Sequence, residues 1–429
     1  MKQELLCKTF TGARRYFPAL TDYEGERVYL FDNSAGAQVP CFSINKVNTF
    51  TKDLNAQKGS IFKRLEWVQQ MIIEGRRQAA ELIGARDHTE IAFGLNATTF
   101  FTLFAHHLGR DLHAGDHIII TEADHISNIT PWLELEERGI RVDVWKVTED
   151  GSLDFDHYEE LLKHNPKVVT VGWISNAIGT VHDMKRIARM AHDRGAVVVA
   201  DGVQRASHLP IDIKDADVDF AAFSTYKIFG PHMGFCYVNH EHPERLRPFR
   251  IAEMLKEDSY KFEVGTQNHE GIISFIGSLE YLSRIAEDAE ANGLRMAEIE
   301  IGGHPGERRR KLYSAMTWAA EYEKILSAHF LDKIKEFDEV ELYGLTSAQD
   351  IDRRVPVFAL NVRGRETDEL GAALNNMGIE ARTGNYLAVN LMDRLANRYG
   401  GSALRISMIH YNTIEEIDYF FECFRQILK

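Results

Sequence analysis

Between residues 89 and 238, apolar runs end repeatedly on polar or ionisable groups: Asn96, His125, Asn176, Asp201 and Lys227. Lys227 follows DFAAFS and precedes IFGPHMG, where burial would lower the pKa of its ammonium and leave an amine able to form a Schiff base. A lysine at a strand end can also snorkel to solvent. Asp201 ends AVVVAD, and an isolated carboxylate there is costly to bury unless a positive group, such as a protonated pyridine nitrogen, meets it. The bland alternative is a helix N-cap. His125 offers a flat ring to lie on a cofactor and a possible proton carrier, or is an ordinary strand-end histidine.

The elements that must position these groups are short and β-rich: TEIAFGL, HIIIT, RVDVWKV, KVVTVGWIS, AVVVAD, DFAAFS and GFCYV. Near-continuous apolar character predicts strands of a largely parallel sheet with helices on both faces. DFDHYEELLKHN and DMKRIARMAHDRG begin on Asp, a good N-cap, and the second ends at a Gly suited to a C-cap. Both read as crossover helices. Ligands in such sheets bind beyond the carboxyl ends of the strands, where the five polar groups fall. From about residue 285 the texture changes to long charged helices, then VPVFALNV, TDELGAALNNMG, IEARTG, LRISMIHY and a closing helix IEEIDYFFECFRQIL, which predicts a separate α+β domain.

The chain has 429 residues, a size that predicts more than one domain. Its net charge of −14 argues against a nucleic-acid footprint, and the basic run Arg308–Lys311 reads as a solvated helix face. There is no apolar stretch of the roughly 18 residues a membrane span needs, and MKQELLCKTF lacks a signal-peptide core. A cytoplasmic enzyme is the expectation, with no metal site and no nucleic-acid or membrane partner. Four scattered cysteines, at 7, 41, 236 and 423, fit neither a disulfide framework nor a paired-cysteine metal site; Cys236 reads as a small buried hydrophobe.

The segment ADGVQRASHLPIDIKDADVDFAAFSTYKIFGPHMG resembles the cofactor signature of class V aminotransferases, especially cysteine desulfurase-like proteins. The likeness extends through FDNSAGAQVP, EADHISNITPW, WISNAIGT, FEVGTQNHEG and LRISMIHYNTIEEID. It implies the α/β fold type I architecture of pyridoxal 5′-phosphate (PLP) enzymes: a large domain with a mostly parallel seven-stranded sheet between helices, a smaller C-terminal α+β domain, and a homodimer. Residues 1–30 would pack with the small domain, 31–284 would form the PLP-binding domain and 285–429 the small domain.

Carried over residue by residue, the resemblance makes Lys227 the Schiff-base lysine, Asp201 the partner of the pyridine nitrogen and His125 the imidazole stacked on the ring, with His125 and Lys227 as the catalytic pair. Gln204 and Asn176 match positions that hydrogen-bond the cofactor's phenolic oxygen or the substrate. The phosphate would rest on the backbone of Ala97 and Thr98 at a helix start, joined by the hydroxyls of Ser224 and Tyr226. A threonine from the neighbouring subunit, matched by Thr266, would complete that site. Arg405 matches the arginine for the substrate α-carboxylate, a task suited to a bidentate donor, and Arg382 a second arginine nearby.

Two departures narrow the reaction. Persulfide-carrying desulfurases have a cysteine shortly after the Arg-Thr-Gly matched here by Arg382–Gly384, whereas this chain reads RTGNYLAVN with Leu387 near that place. Cys41 is the remaining thiol candidate. Tyr226 stands where many relatives have His. The expectation is carbon–sulfur cleavage by elimination, or release of a β-substituent such as sulfinate or carboxylate. Transamination or epimerisation on the same scaffold is the alternative, and a non-catalytic PLP-fold binding or regulatory protein is the other. The substrate pocket is expected from the loops NAQKGSIFKRLEW and GNYLAVNLMDRL.

Overall fold

The structure is a computed structural model that describes residues 2–20, 27–57, 62–242, 259–298 and 306–429. Residues 21–26 of the expected N-terminal segment and 58–61 of the expected substrate loop lie outside the described residues.

The apolar runs form β1 (Ile91–Gly94), β2 (His117–Thr121), β3 (Arg141–Trp145), β4 (Val168–Gly172), β5 (Val197–Asp201), β6 (Phe220–Ser224) and β7 (Gly234–Val238). They pair in the order β1-β7-β6-β5-β4-β2-β3. The run β6-β5-β4-β2-β3 is parallel, while β7 is antiparallel to both of its neighbours. In β4, β6 and β7 every side chain is buried, as strands covered on both faces require. The strand order reverses between β2 and β4, the position at which this class of sheet opens a crevice for ligands.

The crossover helices begin where their aspartates predict. Asp154 accepts the backbone N–H groups of Asp156 and His157 to start Phe155–Leu162, and Asp183 accepts that of Arg186 to start Met184–His192. In the C-terminal half, β8 (Val340–Leu342), β9 (Val357–Val362), β10 (Arg382–Gly384) and β11 (Ala403–Ser407) form an antiparallel sheet in the order β10-β11-β9-β8. Helix Thr367–Asn375 packs on β10 and β11, Phe330 of the long helix Glu307–Ile334 stacks on Phe358 of β9, and Ile414–Leu428, which opens with a capping box between Thr413 and Glu416, packs on Glu307–Ile334. The helix His269–Ala291 runs unbroken through positions 284 and 285, the boundary expected from texture alone. The N-terminal helix Lys2–Ala13 packs on this helix and on Glu307–Ile334, and Tyr29–Leu30 pairs in parallel with Ile379–Glu380. Among the described residues no helix is long and apolar enough to cross a membrane.

The run Arg308–Lys311 is not the solvated face its composition predicts. Arg309 is 5% exposed, and its guanidinium donates to the carbonyls of Leu82 at 2.8 Å and Ile211 at 2.6 Å. Arg308 pairs with Glu74 and Glu81. The run therefore ties the long helix to Lys63–Ile83 of the large domain; charge counting cannot see that two carbonyls were waiting for a buried donor.

Helix Cys41–Asp53 crosses His269–Ala291 so closely that Gly277 has no room for a side chain. A Cβ there would lie 2.5 Å from Ser43 Cα and 2.6 Å from Ser43 N. The Gly277→Ala variant should lose about 1–3 kcal/mol, read as a lower urea midpoint with unchanged far-UV circular dichroism. An unchanged midpoint would show that the two helices separate at no cost.

Candidate active site

The polar groups at the strand ends converge, with one exception. A cleft of about 480 Å³ is lined by Ala97, Thr98, Asp124, His125, Asn176, Asp201, Gln204, Ser224, Tyr226 and Lys227 among others. Asn96 is the exception: its side chain caps helix Ala97–Gly109 by accepting the Thr99 N–H at 2.9 Å, so it shapes the turn on which Ala97 and Thr98 sit.

Lys227 ends a single 3₁₀ turn, Thr225–Lys227, that follows β6. Thr225 fixes this turn by donating its hydroxyl to the carbonyls of Pro231 at 2.6 Å and Met233 at 3.0 Å. Burial lowers the Lys227 ammonium to about 8, helped by the nearby Arg405 cation and opposed by Asp201 and Asp32. Burial raises Asp201 to about 6, offset by the Val203 N–H at 2.9 Å and by Lys227. His125 is brought down to about 4, chiefly by burial and then by Lys227 and Arg405. Its Nδ1 accepts the Ser127 backbone N–H at 3.1 Å, which leaves the proton of the neutral ring on Nε2.

Beside Asp201 lies a second buried carboxyl that sequence reasoning passed over. Asp124 is held up to about 7, first by burial; the Asp201 charge adds to this. It accepts the Gly172 N–H at 2.6 Å and the Asn128 amide at 2.8 Å. The signal available was its position directly after the β2 run and before His125.

The remaining residues are placed by contacts between the two halves. The turn after β4 that carries Asn176 is held to residues 353–355, with Val181 N–H on Arg353 O and Val355 N–H on Gly179 O, both at 2.9 Å. Asn176 donates its amide to Tyr386 O at 2.8 Å, and Gln204 donates to Ser34 O at 2.9 Å. Arg405, 2% exposed, donates to Asn176 O at 2.9 Å and to Asp32 at 2.8 Å. Asp32 also pairs with the half-exposed Arg382 at 2.7 Å, so one carboxylate sits between two guanidiniums. Asp32 lies within FDNSAGAQVP, yet nothing in its local pattern marks it as the partner of residues more than 300 positions away.

Three residues of the expected site are not among those lining this cleft: Arg405, Arg382 and Thr266. Thr266, expected to serve the cleft of a second copy, is exposed and accepts a hydrogen bond from Gln57 at 3.3 Å. The Ala97 N–H, expected to be free for an anion, is taken by Ser224 Oγ at 3.2 Å. Ser224 in turn bonds the Tyr226 hydroxyl, whose pKa burial raises. At the mouth, Tyr386 and Leu387 both adopt left-handed backbone, with φ of +56° and +60°. The pair is pinned by the Ile126 N–H on Leu387 O at 2.7 Å. Non-glycine residues in that region store about 1–3 kcal/mol of strain each, the kind of cost that clusters at functional sites.

Gln204 Oε1 and Arg405 Nε are buried without a hydrogen-bond partner, a cost that a ligand with matching groups would relieve. The donor set fits a flat, anionic carbonyl compound with a basic ring nitrogen. There is a partly neutral amine for the carbonyl, a carboxyl for the nitrogen, an imidazole for the ring face, and a helix start with two hydroxyls for the anion.

The whole chain is similar to known proteins. A probable cysteine desulfurase of Methanothermobacter thermautotrophicus is 29% identical over 96% of this chain and 97% of its own length. A cysteine desulfurase of Enterobacter sp. is 30% identical over 94% and 95%. The apo structure of a cysteine desulfurase from Thermococcus onnurineus superposes with a TM-score of 0.83 at 25% identity, covering 97% of both chains. The Aminotransferase class-V family matches residues 28–299 and 313–420. The chain belongs to the class V aminotransferase family and is a PLP-dependent enzyme of fold type I.

Proposed function

We propose that this enzyme acts on an amino acid, breaks the bond from its β-carbon to a sulfur or acidic substituent, and does so without a persulfide cysteine at the cleft mouth. The observation that carries the reading is the burial of Lys227, Asp201 and His125 in one cleft with Arg405 close enough to depress both basic groups. Relatives that are cysteine desulfurases support the carbon–sulfur chemistry. Leu387, half exposed, stands near the place where the family resemblance would put the thiol of sulfur-carrying desulfurases, and none of the four cysteines lines the cleft.

Bound PLP supplies an electron-poor pyridinium ring that stabilises negative charge at the substrate's Cα. Asp201 would hold the proton on the ring nitrogen, its own carboxyl being ionised above about 6. Lys227 would attach the cofactor and, once displaced by the substrate's amine, move the Cα proton. A lysine near 8 is partly neutral at physiological pH, as a base requires. His125, neutral, would lie on the ring and donate from Nε2. Arg405 would hold the α-carboxylate, aimed by Asp32 and the Asn176 carbonyl. Gln204 and Asn176 would face the cofactor's phenolic oxygen or the substrate, with Ala97, Thr98, Ser224 and Tyr226 around the phosphate. Thr266, exposed on its own subunit, would reach the phosphate of a second copy in a homodimer.

The purified protein should be yellow, and cysteine or cysteine sulfinate should change that band with release of sulfide or sulfite. Elimination from cysteine would give pyruvate, ammonia and sulfide; sulfinate release would leave alanine. A band that responds only with exchange of amino groups, or only with racemisation, would replace this reading with transamination or epimerisation. A protein that stays colourless with added PLP would overturn it.

Two further outcomes follow from the electrostatics. Borohydride trapping of PLP on Lys227 should rise through about pH 8, because the group is reactive only when deprotonated and its folded pKa lies below the usual 10.5. Peptide mapping should find no label at that position in Lys227→Ala, and a midpoint near 10.5 would contradict the burial argument. Arg405→Lys keeps the charge but loses the fork, so kcat/KM should fall roughly 10- to 100-fold, mainly through KM, with the visible band retained. An unchanged KM would remove Arg405 from carboxylate binding.

A further inference from the structure

At the opposite end of β2 from the cleft, three side chains from three elements converge on the surface. His117 is the first residue of β2, Asp143 lies on the edge strand β3 in register with Ile119, and His164 follows the helix Phe155–Leu162. Both imidazoles reach the same carboxylate oxygen: His117 Nδ1 is 2.7 Å from Asp143 Oδ2 and His164 Nδ1 is 3.1 Å from it. The two rings lie with centroids 4.8 Å apart, and one ligand atom from each residue falls within 4.8 Å of the others. The side chains of His117 and Asp143 are each 20% exposed and that of His164 is 47% exposed, so the group is held by the fold yet open to solvent.

We propose that His117, Asp143 and His164 form a binding site for a divalent transition-metal ion, zinc or a close analogue, that clamps the edge of the sheet. Two imidazole nitrogens with one carboxylate favour such an ion over magnesium or calcium, which prefer all-oxygen sites. The carboxylate offsets part of the ion's charge, and the open side leaves a position for water, completing a tetrahedron. On binding, the contacts that the two Nδ1 atoms now make with Asp143 Oδ2 would be exchanged for two bonds from ring nitrogen to the metal and one from the carboxylate oxygen.

The position makes the role structural. Four residues of β2 at about 3.3 Å each put His117 roughly 13 Å from Thr121, where the strand opens to the cleft, so the ion would not reach the reacting atoms. It would instead join the start of β2, the outermost strand β3 and the segment after a crossover helix. Edge strands expose unpaired backbone and need such restraint or charge.

The test uses tag-free holoenzyme treated with chelator and dialysed against zinc. Wild type should retain one more zinc per chain than His117→Ala/His164→Ala, and zinc should raise the thermal midpoint of wild type only. The single exposed change His164→Ala, which leaves the buried strands intact, should weaken zinc binding by more than about tenfold, and Asp143→Asn should do the same. All variants should keep the visible band and the turnover of wild type. Equal zinc uptake by wild type and the double variant, or no uptake by wild type, would overturn the proposal.

Discussion

A primary amine kept out of water at the carboxyl edge of a parallel sheet is the constraint around which this molecule is organised. Burial alone would drive Lys227 further from its usual range; Asp201 and Asp32 pull it back, while Arg405 pushes it down. The outcome is a balance among charges contributed by β5, the turn after β6, β10, β11 and the segment after Leu30. None of these groups sets the balance alone, because in a low-dielectric site each charge is felt by all the others. The second carboxyl, Asp124, belongs to the same balance: its proton is held partly by the charge of Asp201.

That balance requires the two halves of the chain to stay in register. Asp32 pairs with Arg405 and Arg382, Asn176 is bonded to both Tyr386 and Arg405, and the turn Ser175–Val181 is stitched to the segment leading into β9. The left-handed backbone at Tyr386 and Leu387 persists because contacts from the large domain hold it. The atoms that anchor this loop are the carbonyls of Tyr386 and Leu387, so its hold on the rest of the structure does not depend on which side chain stands at position 387.

Local pattern reveals what local physics decides. The seven strands, the aspartate-capped crossover helices and the closing helix were legible because apolar runs and capping residues act within a few positions of themselves. Lys227, His125, Asn176 and Asp201 were legible because strand ends of this sheet class converge. Asn96 sat at such an end too, but its side chain is consumed by its own helix. What stayed hidden depends on distant partners. Asp32 acquires its role from arginines over 300 residues away, Arg309 is buried by carbonyls of two other elements, and Gly277 is explained only by the backbone of Ser43. The change of texture near residue 285 falls inside a helix, His269–Ala291, whose charged face runs straight across it.

The antiparallel strand β7 has a consequence for how the protein is made. Because β7 runs backwards between β1 and β6, its first residue, Gly234, pairs with both Gly94 and Ser224, the last residues of those strands. The helix start at Ala97 and the hydroxyl of Ser224 therefore meet only once β7 is in place, across 127 positions of sequence. Contacts of that separation form late, after the entropy of closing the loop has been met. On the ribosome this rim of the cleft cannot assemble until the chain beyond Val238 has emerged, so the cleft is completed late in synthesis and the unfinished chain is exposed without the stability that a ligand held there confers.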